Sequence, residues 1–284
     1  MAGRGAKVLP GARRAHVNYR HAYHAGNFAD VVKHIALVTI LLHLRRKEAG
    51  FAVIDTHAGR GAYDLSADAA RRTRESEDGI RRLRELAVPA VTPLSSYLEL
   101  ARGDIYPGSP LIAAKLLRSQ DRLVAIEKHP EEASALGEVL RPFDRARAES
   151  GDGYALLAAL LPPPERRGLV LIDPPYESAD EFAGAARAFA VAFRRFSSGI
   201  YLLWFPVKSP AEADRFCGEV LAAGPAKALR LDIARGAGDD ERLRAAGLLV
   251  VNPPWRFADE MRAALAPVLP RLNAQCRFEV CAGD

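Results

Sequence analysis

Residues 168–177 read GLVLIDPPYE, an apolar run from Leu169 to Ile172 that ends in an acid, two prolines and a tyrosine. Proline rings lock φ, so the Pro174 carbonyl keeps a fixed direction beside the Asp173 carboxylate. The pair offers two acceptors, and the tyrosine adds an exposed aromatic ring on which a flat base can stack, a contact worth ~1–3 kcal/mol. Other acids leave strand-like runs, two apolar and one weaker, in the same way: Asp55-Thr56-His57-Ala58-Gly59-Arg60-Gly61, Glu127-Lys128-His129-Pro130 and, after the weak run 145–149, Ser150-Gly151-Asp152-Gly153. Glu127 can accept two hydrogen bonds from a ribose diol, and Asp152 can accept from an adenine amino group. Glycines such as Gly59 and Gly153 let backbone approach a ligand closely. One such acid is ordinarily a helix cap or a turn residue; four at successive exits point to a ligand. The first turn is not a dinucleotide fingerprint, because Asp64 stands where the third glycine would fall.

Something must bring these exits together. Short β-rich runs at 51–55, 122–127, 168–173, 199–204, 228–234 and 246–251, with a weaker one at 145–149, alternate with helical patterns at 28–48, 109–119, 130–140, 153–161, 179–196, 209–222 and 256–265. That alternation predicts an α/β fold with a mostly parallel, seven-stranded sheet and helices on both faces. In such sheets ligands bind beyond the carboxyl ends of the strands, where the acids lie. About 65 residues separate the first two strands, more than a crossover needs, so a small helical insertion is expected at about 66–103. Its pairs Arg71 with Glu75 and Glu77 with Arg81 have helical spacing. They suit a solvated face as well as a set of arginines offered to a phosphate backbone.

The 284 residues suffice for a large core, and 49% hydrophobic with 26% charged residues is ordinary for a globular protein. No apolar run reaches the ~18 residues of a membrane span. Residues 1–17 are basic without an apolar centre and read as a flexible arm, leaving 18–284 as one domain. Cys217, Cys276 and Cys281 show no metal-ligand spacing and leave one unpaired, which fits a reducing cytoplasm. The formal net charge of +5 points weakly to a polyanionic partner. In HAGNFADVVKHI, Asn27 suits a helix cap and Asp30 its first turn, with Asp30 and His34 on one face and Lys33 adjacent. His21, His24 and His34 lack a paired-histidine spacing for a metal, so none is expected.

The tetrapeptide DPPY resembles the mark of class I S-adenosylmethionine-dependent methyltransferases that act on exocyclic base amines. NYRHAYHAGNFADVVKHI, DTHAGRGAYDL, YPGSPLIA, DGY, IDPPYE and NPPW, in that order over roughly 18 to 257, resemble the bacterial 23S ribosomal RNA adenine-N6 methyltransferases. The resemblance implies a Rossmann-like fold, S-adenosylmethionine as cofactor and 23S ribosomal RNA as substrate, in a protein that works without metal or membrane and by default as a monomer. It implies that His34, His57 and Ser109 contact the cofactor, together with Gly59, Glu127, Asp152, Gly153 and Asp173. The simpler role for Ser109 is the N-cap of the next helix. Asp173, Pro174 and Tyr176 become the catalytic group, with Tyr19 and Arg20 near the RNA. An amine lone pair delocalised into a base reacts only when its protons are gripped and a methyl is held in line, which Asp173 and the Pro174 carbonyl can arrange. Asn252-Pro253-Pro254-Trp255 also fits the pattern, but three strands follow DPPY and too few residues follow NPPW, which reads as an end-of-sheet turn packing Trp255. Alternatives are an adenine-N6 DNA methyltransferase, a guanine-N2 ribosomal RNA enzyme, and a non-catalytic RNA-binding assembly factor.

Overall fold

The structure, a computed structural model, describes residues 24–178, 180–236 and 243–282 apart from the side chains of 69–71. The basic arm expected at 1–17, and Tyr19, Arg20 and His21, lie outside the described residues. Among the described residues ten strands form: β1 (Ala52–Asp55), β2 (Ala62–Asp64), β3 (Ile105–Pro107), β4 (Arg122–Glu127), β5 (Ala146–Ser150), β6 (Gly168–Ile172), β7 (Ile200–Pro206), β8 (Ala228–Arg235), β9 (Ala245–Val251) and β10 (Ala274–Ala282). Eight of them make one sheet in the order β10-β8-β9-β7-β6-β1-β4-β5. The five from β7 to β5 run parallel, whereas β9, β8 and β10 join by antiparallel pairing. The expected sheet of seven is therefore a sheet of eight. The addition is β10, an edge strand that pairs with β8 from Ala274 to Ala282.

Central strands read as unbroken apolar runs because both their faces are covered. Leu169 and Leu171 of β6 enter the core on one face, and Val170 and Ile172 enter the core on the other. The first face is covered by α1 (Phe28–Leu44), α4 (Ser109–Leu116), α5 (Pro130–Leu140), α9 (Phe257–Leu265) and α10 (Val268–Leu272), the second by α6 (Gly153–Leu160), α7 (Glu181–Arg195) and α8 (Pro210–Leu221). The chain leaves β1 for β4 and β5 on one side, then returns to β6 and β7 on the other, so β1 and β6 flank the switch point where such sheets bind ligands.

The insertion is helical, as expected, but in short pieces. It holds α2 (Asp68–Thr73), single 3₁₀ turns at Glu75–Asp78 and Ile80–Leu83, and α3 (Pro93–Leu100), all enclosed by the antiparallel β2–β3 pair. Gly79, Pro89 and Pro93 interrupt the helical pattern, and the expected pairings change with it. Glu75 is buried and bonds His24 Nδ1 at 2.8 Å and Asn27 Nδ2 at 3.0 Å, while Glu77 pairs with Arg74 at 2.8 Å. Arg81 donates to the Leu65 carbonyl at 3.0 Å, Arg82 pairs with Asp78, and Arg84 meets Asp104 at 2.8 Å. Each of these arginines thus has a partner nearby in the fold.

The NPPW turn follows β9, which runs antiparallel to β7, so it lies at the amino-terminal pole of the parallel strands. Asn252 takes a left-handed φ of 53° and donates to the carbonyls of Ser197 at 2.8 Å and Gly199 at 2.7 Å. It is an end-of-sheet turn, as read. Trp255 does not pack, however: it is 73% exposed, with the Arg256 guanidinium 5.4 Å from its ring centre.

Candidate active site

Four parallel strands, β1, β4, β5 and β6, and the helices α1 and α4 deliver the chemistry-bearing residues. At the exit of β6, the Asp173 carboxylate is 14% exposed and its Oδ2 lies 2.6 Å from Lys33 Nζ. Lys33 comes from α1 and also meets Asp30 Oδ1 at 2.8 Å. The helix that carries it is capped as expected: Asn27 Oδ1 accepts from the Asp30 N–H at 2.9 Å, and Asp30 Oδ2 accepts from the Gly26 N–H at 2.9 Å. Burial works to lower the Lys33 pKa, but Asp173 and Asp30 outweigh it and hold it well above the usual lysine range. A charged lysine thus sits in a core helix because two acids flank it. Sequence reasoning placed Lys33 beside the face of Asp30 and His34 without a role. The available signal was a lone lysine in a helix otherwise apolar over most of its length.

The carbonyl of Pro174 accepts no hydrogen bond among the described residues, so one oxygen of Asp173 and this carbonyl remain open as acceptors. Tyr176 departs from expectation. Its ring is buried rather than exposed, 4.5 Å from Phe182 and 5.8 Å from Trp204 between ring centres, and its hydroxyl donates to the Trp204 carbonyl at 2.8 Å. A left-handed φ of 51° turns the side chain inward immediately after the second proline.

At the exit of β1, Asp55 is 1% exposed, and its Oδ2 accepts from the Ser109 hydroxyl at 2.6 Å while Oδ1 accepts from the His57 N–H at 3.3 Å. Burial is the largest influence on Asp55, and despite the Ser109 bond its pKa is pushed up to about 7. Ser109 is not the cap of α4, a place taken by Gly108; as the first helical residue it turns its hydroxyl to Asp55. His57 is lowered to about 4, first by burial and further by Lys128, against the pull of Asp152. Its ring stands edge-on to Tyr154 at 4.9 Å.

Glu127 bridges two exits. Oε2 accepts from the Gly59 N–H at 2.9 Å and Oε1 from the His129 N–H at 2.7 Å, which leaves lone pairs on both oxygens for a vicinal diol. Gly59 has φ +60°, and a Cβ there would lie 2.2 Å from the Tyr63 hydroxyl. Asp152 is the N-cap of α6, accepting from the Tyr154 and Ala155 N–H groups through Oδ1, while Oδ2 meets Lys128 at 2.9 Å. A Cβ on Gly153 would fall 2.0 Å from the Thr56 carbonyl, so only glycine lets α6 start this close to the β1 exit. All but one of the predicted residues of the described part thus fall at neighbouring strand exits or at the α4 position that faces Asp55; His34 instead turns Nδ1 to the Tyr106 hydroxyl at 2.8 Å. A vicinal-diol acceptor beside glycine-lined backbone, with a buried acid and the His57 ring further along, suits a nucleoside joined to an amino acid.

A sheet with β1 between β4 and β6, an acid at each of those exits and a proline-locked acceptor pair on β6 defines the class I S-adenosylmethionine-dependent methyltransferases. Residues 48–277 match the family model described as Ribosomal RNA large subunit methyltransferase D, RlmJ. The chain is 40% identical over 268 residues to Ribosomal RNA large subunit methyltransferase J of Escherichia coli, covering 91% of this chain and 94% of that one. It is 38% identical over 258 residues to the protein of that name from Haemophilus influenzae, covering 88% and 92%. A crystal structure of protein LPL1258 from Legionella pneumophila superposes with a TM-score of 0.83 at 33% identity, covering 90% of this chain and 98% of the other. The chain belongs to this ribosomal RNA large subunit methyltransferase family.

Proposed function

We propose that the protein methylates the N6 amine of one adenine in 23S ribosomal RNA, and that the β6 exit is where it does so. The observation that carries this reading is the acceptor pair of Asp173 and the Pro174 carbonyl, held at the switch point with Lys33 on the far oxygen of the carboxylate. When bound, S-adenosylmethionine supplies an electrophilic methyl on sulfur. Glu127 would hold its ribose diol, with Gly59 and Gly153 leaving room for it. Asp152, His34, His57 and Ser109 would hold the remaining ends of that ligand.

On the substrate side, Asp173 and the Pro174 carbonyl accept the two N6 protons and draw the lone pair out of conjugation with the ring. Lys33 keeps the carboxylate in place and its far oxygen occupied, so the near oxygen faces the amine. As the nitrogen gains the methyl it must lose a proton, and Asp173 is the acceptor within reach. Tyr176 shapes the wall next to that pair, through the aromatic cluster with Phe182 and Trp204, rather than offering a bare platform. A target adenine must leave its stack to reach the site, which a loop or helix end permits at least cost. Tyr19, outside the described residues, is assigned to the RNA on resemblance, and Arg20 beside it as a charge within reach of phosphate.

The test is methyl transfer from labelled S-adenosylmethionine to protein-free 23S ribosomal RNA lacking its own modifications, followed by nucleoside analysis. A single product, N6-methyladenosine, abolished by Asp173→Ala, is expected. Transfer to DNA alone, or full activity in Asp173→Ala, would overturn the assignment.

A further inference from the structure

The parallel sheet has a second pole, opposite the reacting acids, where its strands begin and the NPPW turn lies. Seven turns meet there: 45–51, 117–121, 141–145, 161–167, 194–199, 222–227 and 252–256. They hold twelve lysines and arginines against four acids, a net +8, whereas the whole chain carries +5. Everything else, including the strand exits with Glu127, Asp152 and Asp173, is therefore net negative. Side-chain bonds join neighbouring turns into one surface. Arg118 donates to the Lys47 carbonyl at 2.8 Å and Arg145 to the Ser119 carbonyl at 2.6 Å. Arg167 donates to the Ala49 carbonyl at 2.8 Å, and Asn252 ties its turn to Gly199 at 2.7 Å. Arg45, Lys47, Arg166, Arg194 and Lys227 are exposed and have no ion pair among the described residues. The excess charge is felt inside the fold: burial lowers the His43 pKa, and Arg46, Arg167 and Lys47 lower it further against the pull of Glu260.

Cations at the carboxyl ends of helices also answer the helix dipoles, which accounts for part of this charge. It does not account for Trp255. That indole stands in solvent under the Arg256 guanidinium, and the residues that bracket the turn, Asn252 and Arg256, both hold left-handed φ, 53° and 62°. Side chains other than glycine take that conformation at a cost. Two strained residues thus fix a turn whose largest side chain stays exposed. β9 and β1 are three places apart in the sheet, ~14 Å, so the ring and the free cations fall within the span of a few nucleotides. An aromatic face among unpaired cations is what single-stranded nucleic acid requires, a ring for a base and charges for its phosphates. An acidic protein would use the charges and leave the ring without a planar partner.

We infer that this amino-terminal pole is a second RNA-binding surface, on which an unpaired base of the substrate RNA, distant from the target adenine, stacks on Trp255 while the free cations neutralise the backbone beside it. The five residues of β6 alone separate the two poles by ~17 Å. An RNA held at the β6 exit reaches the second pole only by wrapping the domain, which a long ribosomal RNA can do and a short hairpin cannot. The inference rests on ribosomal RNA as the substrate.

The test compares binding and methyl transfer on two RNAs, protein-free 23S ribosomal RNA and a short hairpin cut around the adenine methylated in it. Trp255→Ala should weaken affinity for the long RNA by about tenfold. The double variant Arg45→Gln with Lys47→Gln should reduce the slope of log affinity against log salt by about two. In both, KM for the long RNA should rise while kcat, cofactor affinity, Tm and all hairpin kinetics stay as in the wild type. Unchanged affinity for the long RNA in both variants overturns the inference and leaves an acidic protein as the partner of this pole. Equal losses on the two RNAs overturn it as well, since the hairpin cannot reach both poles. Should the wild type bind the long RNA with the same dependence on Trp255 yet transfer no methyl to it, the substrate reading fails while the surface stands, so the two failures are distinguishable.

Discussion

Gly153→Ala tests the cofactor cleft at the point where packing is tightest. The new Cβ would stand 2.0 Å from the Thr56 oxygen and 2.8 Å from its carbon. Ordinary carbon–oxygen contacts begin near ~3.3 Å, so the first turn of α6 must part from the β1 exit by about 1 Å. Overpacking of this kind costs ~1–3 kcal/mol, which lowers Tm by about 3–10 °C for a domain of this size. The same displacement separates Asp152 on one side from His57 and Thr56 on the other, and a ~1 Å error in a binding constellation can cost ~100-fold. Gly168→Ala is the control. Its Cβ would lie 2.1 Å from the Ala52 oxygen, a comparable clash at the opposite end of β1. Thermal melts and calorimetry with S-adenosylmethionine should show both variants destabilised and only Gly153→Ala impaired in affinity. Equal affinity loss in the two, or none in Gly153→Ala, would refute the placement of the cofactor at this end of the sheet.

Lys33→Met strands Asp30 and Asp173 and should cost ~3–5 kcal/mol of stability as well as activity. Adding Asp173→Asn should recover part of the stability, and strictly additive urea midpoints would show that the pair is not coupled. Asp55 keeps its proton to about pH 7 when folded, against ~3.9 for a free aspartate. Between those values the unfolded chain binds fewer protons, so the ligand-free protein should lose stability as pH rises and level off above 7. Asp55→Asn should flatten that slope in urea titrations from pH 4 to 8; an unaltered slope would assign it elsewhere. Tyr176→Phe deletes only the bond to Trp204 and should cost ~1 kcal/mol with activity largely kept. Tyr176→Ala should cost ~3–5 kcal/mol and most of the activity, and equal activity in the two variants would remove the ring from the site.

The strands that position the site were legible because burial on both faces writes them as unbroken apolar runs ending in acids. β10 was missed although Cys276, Phe278 and Val280 alternate with Gln275, Arg277 and Glu279. An edge strand with half-exposed residues carries only that weak period. The insertion was legible as helical, but charges at helical spacing say nothing of the prolines and glycines that cut it into short helices and single turns. Site residues on strand exits were accessible to reasoning from acid and glycine types alone. Lys33 was not, because its role depends on a partner 140 residues away in the chain, Asp173. Tyr176 shows the limit from the other side. Its type suggested a stacking surface, and only the left-handed backbone after the prolines reveals which way it turns.

Glu75 of the insertion grips His24 and Asn27 at the start of α1, and Lys33 on the second turn of that helix grips Asp173. The insertion and the Asp173 carboxylate are therefore two ends of one mechanical linkage, with α1 as its rod. A lesion at Glu75 is transmitted to Asp173 without any contact with nucleic acid. Lost turnover in an insertion variant consequently does not mark an RNA-binding surface unless RNA affinity falls with it.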